Sequence, residues 1–214
     1  MLSHMSTALT RARRRATRGF TLIELAVTMT LVGILLAVAL PSFMAWIRNA
    51  QVRAVADSLQ NGVRKAQTEA VRLNQGVVFS LTNDNPALNS NAVASGKNWA
   101  IQSIAQFADV NHQASFLTGG SLADVSSSVT ISSNGAVAMC FNSNGRLSAP
   151  AATGVPGAVC VATPQRFDIE QPGRTLSSGD RRLRVLVAIG GQVRMCDPDR
   201  PTLSATTPDG CPFP

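Results

Sequence analysis

Residues 20–40 read FTLIELAVTMTLVGILLAVAL, an apolar run that contains one ionisable side chain, Glu24. At ~1.5 Å rise per residue, a helix of this length crosses the ~30 Å hydrocarbon core of a bilayer. Five arginines, Arg11, Arg13, Arg14, Arg15 and Arg18, lie ahead of it in a stretch with no acid. That block belongs on the cytoplasmic side, which places the bulk of the chain across the membrane. A cleaved secretory signal would want a shorter apolar stretch and a small-residue cleavage site after it. Here the run leads instead into Pro41-Ser42-Phe43-Met44-Ala45-Trp46.

Composition fits an anchored domain of ordinary size. The chain has 214 residues, 45% hydrophobic and 14% charged, enough apolar material for one core and too much for disorder throughout. The net charge of +7 would suggest a nucleic-acid binder, but five of the 19 basic residues sit in the leader. The remainder is close to balance against 12 acids, so the basic character belongs mainly to the N-terminus.

A lone carboxylate inside a membrane segment costs ~2.5 to 3.5 kcal/mol on insertion scales, so Glu24 demands a compensating positive group. Arg18-Gly19 followed by Phe20-Thr21-Leu22-Ile23-Glu24-Leu25 resembles the type III signal of type IV pilins and of the pseudopilins of type II secretion. The resemblance implies cleavage between Gly19 and Phe20 by a prepilin peptidase and methyltransferase, which leaves N-methylphenylalanine at Phe20. It also implies that Glu24 neutralises the N-terminal amine of a neighbouring subunit during assembly. Pro41 matches the helix-bending proline of many pilins, and it must remove one backbone hydrogen bond to the preceding turn. The partners implied are other major and minor pilins or pseudopilins, the inner-membrane assembly platform and membrane lipid.

Beyond the apolar run, Ile47, Val55, Leu59, Val63, Ala66, Ala70 and Leu73 recur at helical spacings, while Arg48, Arg53, Asp57, Arg64, Lys65 and Arg72 occupy other positions. One helix from residue 20 to 73 would be ~80 Å long. Asn74-Gln75-Gly76 should stop it, with glycine in the left-handed turn. The stretch GVRKAQTEAVRLNQGVVFSL, residues 62–81, resembles the GspH/FimT branch of the family, in which a helix with an Ala-Arg-x-x-Ala type pattern leads directly into a first strand. That branch supplies minor pilins and minor pseudopilins.

Strands are expected at residues 77–81, 99–101, 129–132, 137–141, 166–169, 182–189 and 192–196, with long loops through the rest of 82–128. Asn134-Gly135 and Asn144-Gly145 both read as hairpin turns. The expected architecture is α+β and type IV pilin-like: a long N-terminal helix, transmembrane in its first half, packed on a C-terminal antiparallel sheet. Its parts are a leader at 1–19, a transmembrane or filament-core helix at 20–46, an amphipathic helix at 47–76, and a β-rich domain at 77–214 with a disulfide-closed tail.

Alternation along the late strand puts Leu183, Val185, Val187 and Ile189 on one face and Arg182 and Arg184 on the other. An odd hairpin loop would bury Val193 and Met195 and leave Arg194 outside. Delivery to an oxidising compartment makes the four cysteines disulfide candidates. Cys196 with Cys211 is favoured, since closing a loop of about 15 residues is worth ~3 kcal/mol in the entropy model, and Cys140 with Cys160 remains. A zinc site is poorly supported, because close cysteine pairs are missing and His112 is the one histidine after the leader. No cofactor is expected. No catalytic constellation stands out, and Asp168 with Glu170 reads as solvated strand surface.

DNA is the open partner. Some FimT-type minor pilins bind it through a Gly-Arg-x-Arg motif near the C-terminus, and Gly191-Gln192-Val193-Arg194 stands at that place with Gln192 for the first arginine. Glutamine carries no charge to release counterions, so Arg181, Arg182 and Arg184 would have to compensate, with Arg194 and Arg200 nearby. Three roles stay open on sequence: a type IV pilus subunit, protein H of a type II secretion system, and a DNA-binding minor pilin.

Overall fold

A computed structural model describes residues 19–105, 113–134, 137–175, 179–200 and 202–212. The leader arginines, His112 and Gly135 lie outside the described residues. Two compact units divide between Ser42 and Phe43.

The first unit holds the opening of helix α1 (Leu22–Leu73). Thr21 caps it: its Oγ1 accepts the backbone N–H of Glu24 at 3.2 Å. Thr21 and Glu24 therefore stand in capping-box spacing, and the acid in the first turn complements the helix dipole. Thr28 and Thr30 donate their hydroxyls to the carbonyls of Leu25 and Val27 at 2.9 and 2.8 Å. These two hydroxyls of the apolar run thus close onto their own helix, as hydrocarbon surroundings require. Its large side chains stay uncovered, Leu22 at 86% and Ile34 at 64% exposure. The helix continues through Pro41, which has no N–H for the carbonyl four residues earlier.

In the second unit α1 buries Val52, Val55, Ala56, Leu59, Gly62, Val63, Ala66 and Ala70. This stripe is wider than the spacing of the larger apolar residues predicts, and it leaves Ile47 and Leu73 half-buried at its ends. Gly62 joins because a Cβ there would sit 3.1 Å from Phe79 and 3.2 Å from Trp99, whose rings stack on each other with centroids 6.0 Å apart. Asn74, at φ 53°, takes the left-handed turn that was expected of Gly76. The N–H groups of Asn74 and Gln75 return to the carbonyls of Val71 and Ala70, so asparagine closes a Schellman end two residues before that glycine.

Among the described residues, nine strands form two antiparallel sheets where one was expected. Strands β1 (Val77–Thr82), β2 (Asn98–Ser103), β3 (Phe116–Ser121), β5 (Ala138–Phe141) and β6 (Leu147–Ser148) make the first, in the order β3-β2-β1-β5-β6. Strands β4 (Thr130–Ser133), β7 (Gln165–Glu170), β8 (Leu183–Val187) and β9 (Val193–Cys196) make the second, in the order β4-β7-β8-β9. The apolar face of α1 and the inner faces of both sheets share one core, which includes Leu59, Phe79, Ile101, Phe141, Phe167, Ile169 and Val185. The other face of the five-stranded sheet is covered as well, by a smaller cluster of Val78, Ala92, Ala138, Cys140, Val155 and Cys160. That double cover explains why β1 is buried at all six positions.

Two expectations fail here for identifiable reasons. β4 and β5, on either side of Asn134-Gly135, do not pair with each other: β4 pairs with β7 and β5 with β1, so the two belong to different sheets. All four residues of β5 are buried, which suits a central strand and not the partner of half-exposed β4. The segment at 116–121, expected to be loop, is the edge strand β3. Its Gly119 and Gly120 read as a turn in sequence, yet they are needed inside the strand, since Cβ atoms would lie 2.2 Å from Pro86 and 2.7 Å from the Trp99 ring. Asn144-Gly145 does close β5 onto β6, with Gly145 at φ 72° and its N–H on the Asn142 carbonyl at 2.8 Å.

Candidate functional site

The N-terminal residues form one group. Gly19, Phe20 and Thr21 precede the first helical turn, so the Gly19–Phe20 peptide bond lies in unwound chain, and Phe20 is 85% exposed. An extended, accessible bond is the form a peptidase can accept. Glu24 lies one turn further on, exposed, and its carboxylate has no ion-pair or hydrogen-bond partner among the described residues. The charge that sequence reasoning found anomalous is not neutralised by them.

The C-terminal cations divide differently from the sequence expectation. Arg184 is not an outward, available charge. It is 6% exposed and lies directly across from Asp168, which accepts its Nε at 2.6 Å and its Nη2 at 3.1 Å. Two parallel, charge-assisted hydrogen bonds fix the β7–β8 register, and Asp168 is accordingly no solvated surface acid. Arg182 reaches Asp199 at 3.1 Å, and Arg174 engages the same carboxylate. Arg200 lies between Asp209 at 3.1 Å and Asp197 at 3.8 Å. Of the arginines expected to compensate for Gln192, Arg182 and Arg184 are therefore held by internal acids, while Arg181 is exposed. Ile189, expected in the core, is 42% exposed, because β8 ends at Val187 and the chain turns.

The turn from 188 to 192 has an odd number of residues, so Val193 and Met195 face inward and Arg194 outward. It is held by Ala188 N–H to the Gln192 carbonyl at 2.9 Å and Gly191 N–H to the Ala188 carbonyl at 2.8 Å. Gly191, at φ 87°, comes so close to the β5–β6 turn that a Cβ would lie 2.1 Å from the Gly145 carbonyl oxygen. Leu147 N–H bonds the Ile189 carbonyl at 2.9 Å, and Gln67 of α1 donates to the Gly145 carbonyl at 2.9 Å. Helix and both turns meet there.

Three exposed arginines surround that junction, two of which sequence reasoning did not connect with it. Arg194 stands on β9, Arg146 follows the β5–β6 turn, and Arg64 of α1 donates to the Val193 carbonyl at 3.3 Å. Among the described residues none of the three carries an ion pair. No local signal could have joined them, since 130 residues separate Arg64 from Arg194 and only the packing of α1 on the sheet edge brings them together.

The disulfides join Cys140 to Cys160 and Cys196 to Cys211. The first ties the loop at 149–164 to β5. The second closes the tail, where Asp197 bridges Gly210 and donates its N–H to the Asp209 carbonyl at 2.8 Å. Among the described residues, no group of three or more histidine, cysteine, aspartate or glutamate side chains is placed to hold a metal ion.

A family model described as type II transport protein GspH matches residues 55–191, and one described as the prokaryotic N-terminal methylation motif matches residues 14–40. No curated protein matches significantly. Among solved structures, the chain is similar to the type IV minor pilin FimU of Pseudomonas aeruginosa strain PAO1, at 15% identity and TM-score 0.49 over 76% of this chain and 96% of that one. It is also similar to the minor pseudopilin EpsH from the type 2 secretion system of Vibrio cholerae, at 11% identity and TM-score 0.44 over 70% of this chain and 99% of that one.

Proposed function

The chain belongs to the GspH family of type II transport proteins, and from that premise we propose that it is a minor pilin, a structural subunit that helps initiate or cap a type IV filament. The observation that carries the reading is the N-terminal group: an unwound Gly19–Phe20 bond, a Thr21-capped apolar helix and a Glu24 carboxylate with no partner among the described residues. In this reading a prepilin peptidase on the cytoplasmic side cuts after Gly19 and methylates Phe20. The helix anchors the subunit in the inner membrane with its C-terminal domain in the periplasm, and the assembly platform then moves it into the filament. Glu24 pairs with a neighbour's amine, and residues 20–46 pack among identical or related helices. Mass spectrometry of the protein recovered from cells should give an N-methylated Phe20 terminus. A chain that keeps residues 1–19 in a strain with active peptidase overturns the reading.

Service in a type II secretion pseudopilus uses the same chemistry, and the description of the matched family favours keeping it in view. Deleting the gene and scoring twitching, transformation and exoprotein secretion separately distinguishes the two. Loss of secretion alone assigns the subunit to export.

A further role in DNA uptake draws support from the three exposed arginines at the turn junction, none of which has an ion pair among the described residues, with Arg182 and Arg184 removed from consideration by their acids. A soluble fragment beginning near Arg48 should retard duplex DNA at ~50 mM salt, where phosphate contacts are strong. Changing Arg64, Arg146 and Arg194 to alanine together should abolish retardation, while Arg182→Ala should leave most of it. No retardation by the unaltered fragment removes the DNA role.

A further inference from the structure

A groove of about 730 Å³ runs along α1 in the second unit, from Trp46 past Ala50, Arg53 and Asp57 to Gln60, with β9 and the disulfide-closed tail as its other wall. Its lower end has a defined position. Phe43 and Trp46 stack with centroids 6.0 Å apart, and both are more than half exposed just after the apolar run ends. Exposed aromatics at the end of a membrane span sit at the headgroup level. Asn49 fixes the opposite wall one turn further on: its side-chain amide donates to the Gly179 carbonyl at 2.9 Å, and its oxygen accepts the Arg181 N–H at 2.8 Å. Arg48 adds an ion pair to Asp180 at 2.7 Å. The loop bearing Arg181 is thereby held about 5 Å along the helix from the aromatic pair, at 1.5 Å per residue.

The charges lining the groove are of both signs, and several are underused. Arg181 is exposed and has no carboxylate partner among the described residues, and Arg53 touches Asp57 only at 4.0 Å. Asp57 and Asp209 keep about half of their side-chain surface in solvent, Asp209 beside its 3.1 Å ion pair with Arg200. Val52, Leu183 and Met195 supply apolar lining. A partner of one sign would meet repulsion at one part of this wall. A partner that carries a phosphate and a hydrogen-bonding ammonium on a short linker, with an apolar portion attached, would satisfy both.

We propose that this groove binds the headgroup of a membrane aminophospholipid of the phosphatidylethanolamine class, with the phosphate held by Arg53 and Arg181 and the ammonium by Asp57 and Asp209. The inference rests on the membrane anchoring proposed above. Seated in this way, the headgroup ties the second unit to a lipid that the subunit must later release.

The test uses the full chain in nanodiscs with equal amounts of phosphatidylethanolamine, phosphatidylglycerol and phosphatidylcholine, released for native mass spectrometry of the lipids retained. The expected result is enrichment of phosphatidylethanolamine over both others. Replacing Arg53 and Arg181 by alanine should lower its retention by roughly tenfold, the scale of one charge-assisted hydrogen bond. Asp57→Asn with Asp209→Asn should erase the preference over phosphatidylcholine, whose quaternary ammonium cannot donate. Both arginines are exposed, so an unchanged thermal midpoint should accompany the loss. Equal retention of the three lipids overturns the proposal, as does retention unaffected by the arginine changes. Enrichment of phosphatidylglycerol over phosphatidylethanolamine also overturns it, since that marks an anion site. Failure of the chain to enter nanodiscs counts against the anchoring and is read separately, by flotation of the bilayer fraction.

Discussion

Replacing Arg184 by alanine is expected to destabilise the globular domain by about 3 kcal/mol or more, the cost of leaving one member of a buried pair uncompensated. Asp168 would keep its charge in a site 19% exposed at the side chain while losing both hydrogen bonds of its guanidinium partner. The pair also joins the two central strands of the four-stranded sheet, so its loss is felt by the register and not by one side chain alone. Urea unfolding of the fragment beginning near Arg48, followed through the emission of Trp99, gives the number. The paired replacement of Arg184 and Asp168 by leucine should recover most of the loss, because removing both charges also removes their desolvation cost. A drop below about 1 kcal/mol for Arg184→Ala would place the pair among ordinary surface ion pairs. In that case Arg184 would return to the set of cations available to a polyanion.

This contrast marks where sequence reasoning ended. The β8 alternation was legible, and it correctly separated Val185 and Val187 from Arg184. What alternation cannot state is whether the other face is wet. Arg184 is buried because Asp168, 16 residues earlier, lies directly across the sheet, and that pairing becomes visible only when β7 and β8 are in register. The helix was legible over its whole length because a continuous apolar run leads without a break into residues of helical spacing. The disulfide-closed tail was legible from cysteine spacing. The partition into two sheets was not, because Asn134-Gly135 carries strong turn chemistry, and only the burial of β5 on both faces shows that its neighbours are β1 and β6. Strand β3 was missed for a related reason. Its glycines make room for Pro86 and the Trp99 ring, and a sequence displays the gap without displaying what fills it. The arginine junction was the least legible feature, since Arg64, Arg146 and Arg194 come from three elements that the core brings together.

Replacing Glu24 by leucine should leave membrane insertion and cleavage after Gly19 intact and abolish recovery of the subunit in sheared filaments. Insertion should if anything improve, because the single ionisable group of the apolar run is gone. The geometry also offers a rival explanation for any such loss: Glu24 stands in capping-box position behind Thr21, so its removal could simply fray the helix start. Glutamine separates the two. It suits the capping-box position as glutamate does, but it cannot neutralise a neighbour's amine. If Glu24 acts only within its own helix, Glu24→Gln should assemble normally. If it supplies the counter-charge for another subunit, Glu24→Gln should fail like leucine. Glu24→Asp, which keeps the charge on a shorter arm, should then retain part of the assembly. The backbone N–H of Glu24, and not its carboxylate, is what Thr21 engages, which leaves the carboxylate oxygens free for an external donor. We therefore expect the order glutamate, aspartate, then glutamine with leucine in filament recovery at equal membrane levels, and normal assembly of the glutamine variant would reduce Glu24 to a cap.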